Sequence, residues 1–404
     1  MIAAGLCFAA DAMQVMLLSF LGEVLKLEWG LSDDETALIT SILFFGAIFG
    51  TMILGPLADR RGRRPVFLAA ALIISCFGML VSFVTNYFAL LALLFMVGFG
   101  IGGVTVPFDI LSEVLPAASR GKNLLMINYL WTFGVLLVVA FAHTTLADEE
   151  ANWRLFVILC ALPCFSSVIV CWYCVPESPR WLCTQEGRSW EALEIMRKAA
   201  EVNRLDAAFL FPEGTELLTE EKEEESKLSE LLSTKWRWTT LKLWGVWFTF
   251  AFGYYGTIMV ITEIFDSENE STAQGDEKDI EFDYSAIFVS SSAELIGTTF
   301  ALFTVDTLGR IPLQIVSYAL AGISVCTLCI LAGNGTDRGI LIAFSFTARI
   351  FEMVGSSVSW ASTAEILTTD VRTTGKSIGI LETGYRKSAA LTLISLSLSL
   401  TLRA

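Results

Sequence analysis

A charged phrase occurs twice in this chain, each time between two long apolar runs. The first copy is Asp59-Arg60-Arg61-Gly62-Arg63, preceded by Gly55-Pro56-Leu57-Ala58, and the second is Asp306-Thr307-Leu308-Gly309-Arg310. A second phrase also repeats. Glu113-Val114-Leu115 is followed by Arg120 seven residues on from the Glu, and Glu365-Ile366-Leu367 is followed by Arg372 at the same spacing. The offsets between copies are 247 and 252 residues. Two independent phrases at nearly one offset imply one unit duplicated in the same sense. Between apolar runs, such a duplication is the layout expected of a membrane protein that exposes a central site to each side in turn.

The runs themselves demand a bilayer. Hydrophobic residues make up 54% of the chain, charged residues 17%, and the mean hydropathy is +0.62. A spanning helix needs about 20 residues. Runs of that length predict spans at 2–22, 36–57, 65–84, 88–111, 122–143, 154–175, 242–262, 284–305, 311–332, 339–364 and 376–402. The fold class expected is all-α, with a bundle over 1–175, a connecting loop over 176–241 and a second bundle over 242–404. The second half holds five runs against six in the first. After about Ala389 the chain becomes a Leu/Ser run. The expectation is therefore a six-plus-six plan cut short, against the alternative of an eleven-span protein.

Lys and Arg fall in alternate loops, around Arg60–Arg64, Arg120–Lys122, 176–241, Arg310 and Arg372–Lys376. Bases mark the cytoplasmic side, so 176–241 is expected inside and 263–283 outside. The net charge of −15 resides largely in those two loops, with fourteen acids and nine bases in the first and nine acids and one base in the second. These read as solvated faces and not as a docking surface for a polycation. The pattern Ser189–Val202 predicts a short surface helix, and Glu220–Leu232 another.

No cofactor or metal is expected. Most of the nine cysteines lie in apolar runs, and His143 is the chain's one histidine, so no zinc set assembles. No phosphate-binding G-x-x-x-x-G-K-[ST] loop and no catalytic constellation is evident, and nothing points to nucleic acid. The partners expected are a small organic solute, possible coupling protons and the lipid bilayer. A monomer is the default.

The Gly55–Arg64 phrase resembles the signature loop of the major facilitator superfamily. Pro176-Glu177-Ser178-Pro179-Arg180-Trp181-Leu182 resembles the phrase that follows the sixth span in its sugar and organic-ion branches. Ala10-Asp11-Ala12-Met13 and Trp247-Phe248 with Tyr254-Tyr255-Gly256 are similar to the first and seventh helices of proteins related to synaptic-vesicle glycoprotein two. Position 14 is Gln where those relatives place an acid, and the glutamine-rich seventh-helix motif of sugar porters is absent. The resemblance implies secondary transport of a small organic solute, an organic ion before a neutral sugar, with proton symport open. A transporter-shaped receptor or trafficking protein is the alternative from another class.

Two residue sets follow. Gly55, Asp59, Arg60, Gly62, Arg63, Glu113, Arg120, Glu177, Arg180, Asp306, Gly309, Arg310, Glu365 and Arg372 are the candidates for a gate of charge pairs between the halves, with Pro56 and the glycines making a tight turn. A charge at mid-bilayer costs roughly 2.5–3.5 kcal/mol on insertion scales, so intramembrane polar residues are candidates for solute or proton. They are Asp11, Gln14, Glu294, Arg349, Glu352, Glu382 and Arg386, with Trp131, Tyr254 and Tyr255 as aromatic faces. Spacing pairs Arg349 with Glu352 and Glu382 with Arg386 on single helix faces.

Overall fold

The computed structural model describes residues 2–103, 105–115, 120–147, 152–185, 187–217, 233–234, 237–272 and 282–366. The helices are α1 (Ile2–Trp29), α2 (Asp33–Arg61), α3 (Arg63–Val81), α4 (Tyr87–Ile101), α5 (Thr105–Val114), α6 (Arg120–Leu125), α7 (Ile127–Leu146), α8 (Trp153–Cys174), α9 (Pro179–Cys183), α10 (Ser189–Val202), α11 (Ala207–Leu210), α12 (Arg237–Thr272), α13 (Tyr284–Leu308), α14 (Arg310–Gly333) and α15 (Arg338–Ile366). Ten helical stretches among the described residues are long and apolar enough to cross a membrane, six before the connecting segment and four after it. The run at 376–402 and the helix expected at Glu220–Leu232 lie outside the described residues.

Three elements depart from the sequence reading. The helix expected over 88–111 is broken after Ile101 and restarts at Thr105. Gly102 lies so close to α2 that a Cβ on it would stand 2.4 Å from the Thr51 amide nitrogen. The same seam runs upward: a Cβ on Gly98 would meet the Leu43 carbonyl oxygen at 1.9 Å, and one on Gly46 the Phe95 carbonyl oxygen at 2.1 Å. Gly46, Gly50, Gly98 and Gly102 are thus two facing small-xxx-small pairs that let two backbones touch. Second, α12 runs to Thr272, ten residues beyond the expected end of its span, because no Gly or Pro interrupts it before Gly275. Third, Gly55 and Pro56 do not form the turn. They lie inside α2, which continues through Pro56 to Arg61. The turn is made by Gly62 at φ +104°, and Gly309 at φ +81° makes its counterpart. These are left-handed positions that suit glycine.

The helix termini are capped from the sequence. Ser32 and Glu35 form a reciprocal capping box at the start of α2. Asp283 caps α13 through the Ala286 amide and takes Arg338 as an ion-pair partner. Burial opposes its charge, but Arg338, the Ala286 N–H and Ser285 together hold its carboxyl below the usual range.

The first six spans and the last four meet along their length. Trp360 of α15 packs edge-on against Phe8 of α1 and Trp247 of α12, near the base-rich end. Phe44 of α2 meets Tyr255 of α12 at 5.4 Å. At the opposite end Phe20 of α1 contacts Phe282 and Tyr284. Large side chains such as Phe83, Phe88, Phe303 and Ile311 stay exposed on the outside, as expected where the solvent is lipid.

Candidate functional site

Midway along the bundle a buried polar cluster joins the two groups of spans. Arg349 of α15 is 2% exposed and Glu294 of α13 is 0% exposed, and Arg349 Nη1 stands 3.3 Å from Glu294 Oε1. Tyr254 of α12 donates its hydroxyl to Glu294 Oε1 at 2.7 Å. Trp131 of α7 donates its indole N–H to the Tyr254 hydroxyl oxygen at 2.6 Å. Thr132, next on α7, donates to Glu294 Oε2 at 3.1 Å. Arg349 donates from Nη2 to Ser291 at 2.9 Å, and its guanidinium lies over the Tyr254 ring at 5.9 Å. A buried carboxylate needs this many donors, because its desolvation is offset only by a close counter-charge and further hydrogen bonds.

The sequence reading placed Arg349 with Glu352, three residues on. The structure pairs Arg349 with Glu294 instead. Glu352 is 3% exposed, its Oε2 is buried without a hydrogen-bond partner, and its carboxylate lies against Gly253. The i,i+3 spacing permits a pair but does not compel one. A neighbouring helix that presents a carboxylate already held by Tyr254 and Thr132 competes for the same guanidinium.

The other intramembrane candidates separate. Tyr255 is buried beside Tyr254 and reaches across to Phe44. Asp11 is half-buried on α1, within electrostatic reach of Tyr255 and Cys164. Gln14 turns onto α3 and α8, where its side-chain amide donates to Cys164 Sγ at 3.8 Å and Gly78 leaves room for it. It lines the seam within the first six spans. Glu382 and Arg386 lie outside the described residues.

At the base-rich end the repeated phrases form two parallel arrangements. Arg63 stands 3.9 Å from Asp59, and Arg310 stands 3.2 Å from Asp306. Glu177 Oε1 accepts from the backbone N–H of Arg63 at 2.9 Å and of Arg64 at 3.1 Å. It thereby caps α3 where the helix dipole favours an anion. Trp181 donates its indole N–H to the Asp59 carbonyl at 2.9 Å, and Arg180 sits half-buried beside it on α9. The segment after the sixth span is therefore docked on the first charged loop. Arg60 lies exposed in the last turn of α2. The side chains of Glu113, Arg120 and Glu365, and all of Arg372, lie outside the described residues.

Several contacts between the two groups of spans have no counterpart in the sequence analysis, where Lys122 counts only as an inner-loop base. Lys122 reaches from the first six spans to Asp306 of the last four at 3.3 Å. Asn128 donates to Ser357 at 2.9 Å, and Tyr129 shares a 2.8 Å hydrogen bond with Thr299. Lys122 follows Arg120-Gly121 as Lys376 follows Gly375, a spacing that could have marked it. Small hydroxyl residues give no such signal. Cys7 and Cys171 bring their sulfurs to 3.7 Å between α1 and α8, far apart in sequence and unreadable there.

A family model described as "Sugar (and other) transporter" matches residues 12–381. The chain belongs to this family of the major facilitator superfamily. It is 31% identical over 383 residues to the synaptic vesicle 2-related protein of Xenopus laevis, covering 92% of this chain and 68% of that protein. It is 32% identical over 411 residues to organic cation/carnitine transporter 7 of Arabidopsis thaliana, covering 93% and 80%. Among solved structures, the inward-open xylose transporter XylE of E. coli superposes with a TM-score of 0.73 at 18% identity, covering 98% of this chain and 89% of that one. The human organic anion transporter MFSD10 gives 0.68 at 15%, covering 100% and 94%. These likenesses carry the fold. The protein is a multi-pass membrane secondary transporter of the major facilitator fold.

Proposed function

We propose that this transporter carries a small organic cation by alternating access, coupled to protons, with the Glu294–Arg349 cluster at the floor of its solute site. The observation that carries the reading is the charge balance at mid-bilayer. Among the described side chains at that depth there are three acids, Asp11, Glu294 and Glu352, and one base, Arg349, which pairs with Glu294. An excess of buried acid favours a positive guest or protons. The walls suit a cation too, since Trp131, Tyr254 and Tyr255 present aromatic rings around the carboxylates. The relative named organic cation/carnitine transporter 7 supports the same class.

The base-rich end supplies a gate in this reading. Lys122–Asp306 spans the two groups of helices in the closed form and must part when that end opens. Both side chains are about half exposed, at 58% and 47%, so the pair sets geometry and adds little to stability. Alternation needs contacts that differ between two states, and this is such a contact.

Uptake by the full-length protein in proteoliposomes tests the reading. Radiolabelled tetraethylammonium should accumulate, other organic cations should compete, and hexoses and organic anions should not. Uptake of radiolabelled hexose with no uptake of the cation would replace this reading with a sugar carrier.

A further inference from the structure

We propose that Glu352 is the proton-carrying residue and that Arg349 switches between Glu294 and Glu352, so that one cation is exchanged for one proton. The proposal rests on the cation reading above and specifies its coupling. It starts from unused valences that match. Arg349 carries two buried nitrogens, Nε and Nη1, that make no hydrogen bond, although Nη1 lies in the 3.3 Å ion pair. Glu352 Oε2 is a buried acceptor that receives none. The two side chains are three residues apart on α15, one helical face, so a rotamer change of Arg349 suffices to join them. A buried ionised carboxylate is costly unless it is paired. In the state described, the unpartnered oxygen of Glu352 is accounted for by a proton.

The groups that face Glu352 define the exchange. Its own helix offers Arg349, within electrostatic reach. Tyr318 of α14 lies near enough to feel its charge and is itself bonded to Ser359 at 2.8 Å. From α12 the facing residue is Gly253, whose absent side chain makes room for the carboxylate. Glu294 of α13 and Tyr254 of α12 lie beyond Arg349 and hold its other side. The facing groups thus present one cation to two acids. When Glu352 holds its proton, Arg349 stays on Glu294 and occupies the carboxylate a cation would need. When Glu352 gives up the proton, it takes Arg349, and Glu294 becomes the counter-ion for the solute. The balance is one proton lost from the Glu352 carboxyl to water and one solute cation gained at Glu294, with no net change in buried charge. Each equilibrium reciprocally shifts the other. Raising pH therefore tightens cation binding, and cation binding expels a proton.

Two arms test this on the full-length purified protein. The first needs no solute. A pH-difference infrared spectrum should contain the carbonyl stretch of a buried protonated carboxyl, absent in Glu352→Gln and shifted to lower pH in Glu294→Gln, where Arg349 is free to pair with Glu352. A band that survives in Glu352→Gln overturns the assignment. The second arm uses tetraethylammonium, whose charge is independent of pH. Wild-type affinity should rise about tenfold per pH unit below the titration of Glu352, the slope for one linked proton. One proton should be released per cation bound. Glu352→Gln, fixed in the protonated form, should bind weakly with no pH slope, and Glu352→Asp should restore the slope. A slope retained in Glu352→Gln refutes the exchange. If tetraethylammonium binds the wild type at no pH, the cation reading and its exchange both fail, while the infrared band still decides whether Glu352 holds a proton.

Discussion

Breaking the buried pair from one side should cost more than removing it from both. The perturbations are Glu294→Gln, Arg349→Met and their double variant. Nitrogen and oxygen stand 3.3 Å apart with exposures of 2% and 0%. At an effective dielectric of about 20 their attraction is roughly 5 kcal/mol before desolvation is subtracted. Removing one partner of a buried pair typically costs about 3–5 kcal/mol, because the survivor is left charged and unpaired. Arg349→Met should fall in that range, since Tyr254 and Thr132 remain aimed at a carboxylate that has lost its cation. Glu294→Gln should sit lower in it, because Glu352 lies one turn away and can take over Arg349. The double variant should cost less than the sum by about 2–3 kcal/mol, the upper range of measured couplings. The assay is unfolding of purified protein in detergent, by denaturant or heat, under conditions where refolding is reversible. Strictly additive costs would refute the reasoning.

Three further outcomes follow from geometry. Gly98→Ala should sharply lower folded yield, because its Cβ meets the Leu43 carbonyl oxygen at 1.9 Å, whereas Gly78→Ala should be tolerated, because its nearest contact is the Gln14 amide at 3.6 Å; fluorescence size-exclusion of both variants checks the contrast. Lys122→Glu should slow transport by repelling Asp306, and the swap Lys122→Asp with Asp306→Lys should restore much of it, read as initial uptake rates. Asp59→Asn should bias the access equilibrium while leaving solute binding intact, read as unequal labelling of cysteines introduced at the two ends; equal labelling with a normal rate would remove Asp59 from the gate.

What the sequence disclosed divides along a physical line. Membrane spans are local: each run of apolar residues must satisfy its own backbone within lipid, so their positions follow from composition and length. The duplicated phrases are local too, and Asp59 with Arg63 and Asp306 with Arg310 need only i,i+4 spacing. The pairing of Arg349 is not local. Periodicity offers Glu352, yet Glu294 arrives on another helix with Tyr254 and Thr132 already bonded to it. Nothing in one helix records the rotation of its neighbour. The break at Gly102 is intermediate. Gly46, Gly50, Gly98 and Gly102 show their four-residue spacing in the sequence, but only the approach of two backbones explains why the helix gives way there. Pro56 misled for a similar reason, since α2 tolerates it within a packed bundle where an isolated helix would bend or stop.

Calorimetric binding of tetraethylammonium to the full-length wild type and to Glu294→Gln, at a pH where the wild type binds well, tests the central claim most directly. The account predicts saturable one-to-one binding to the wild type. In Glu294→Gln it predicts an affinity reduced by at least about thirtyfold, the equivalent of losing about 2 kcal/mol from a buried charge pair. Equal affinity in the two proteins would contradict the account and place the cation elsewhere.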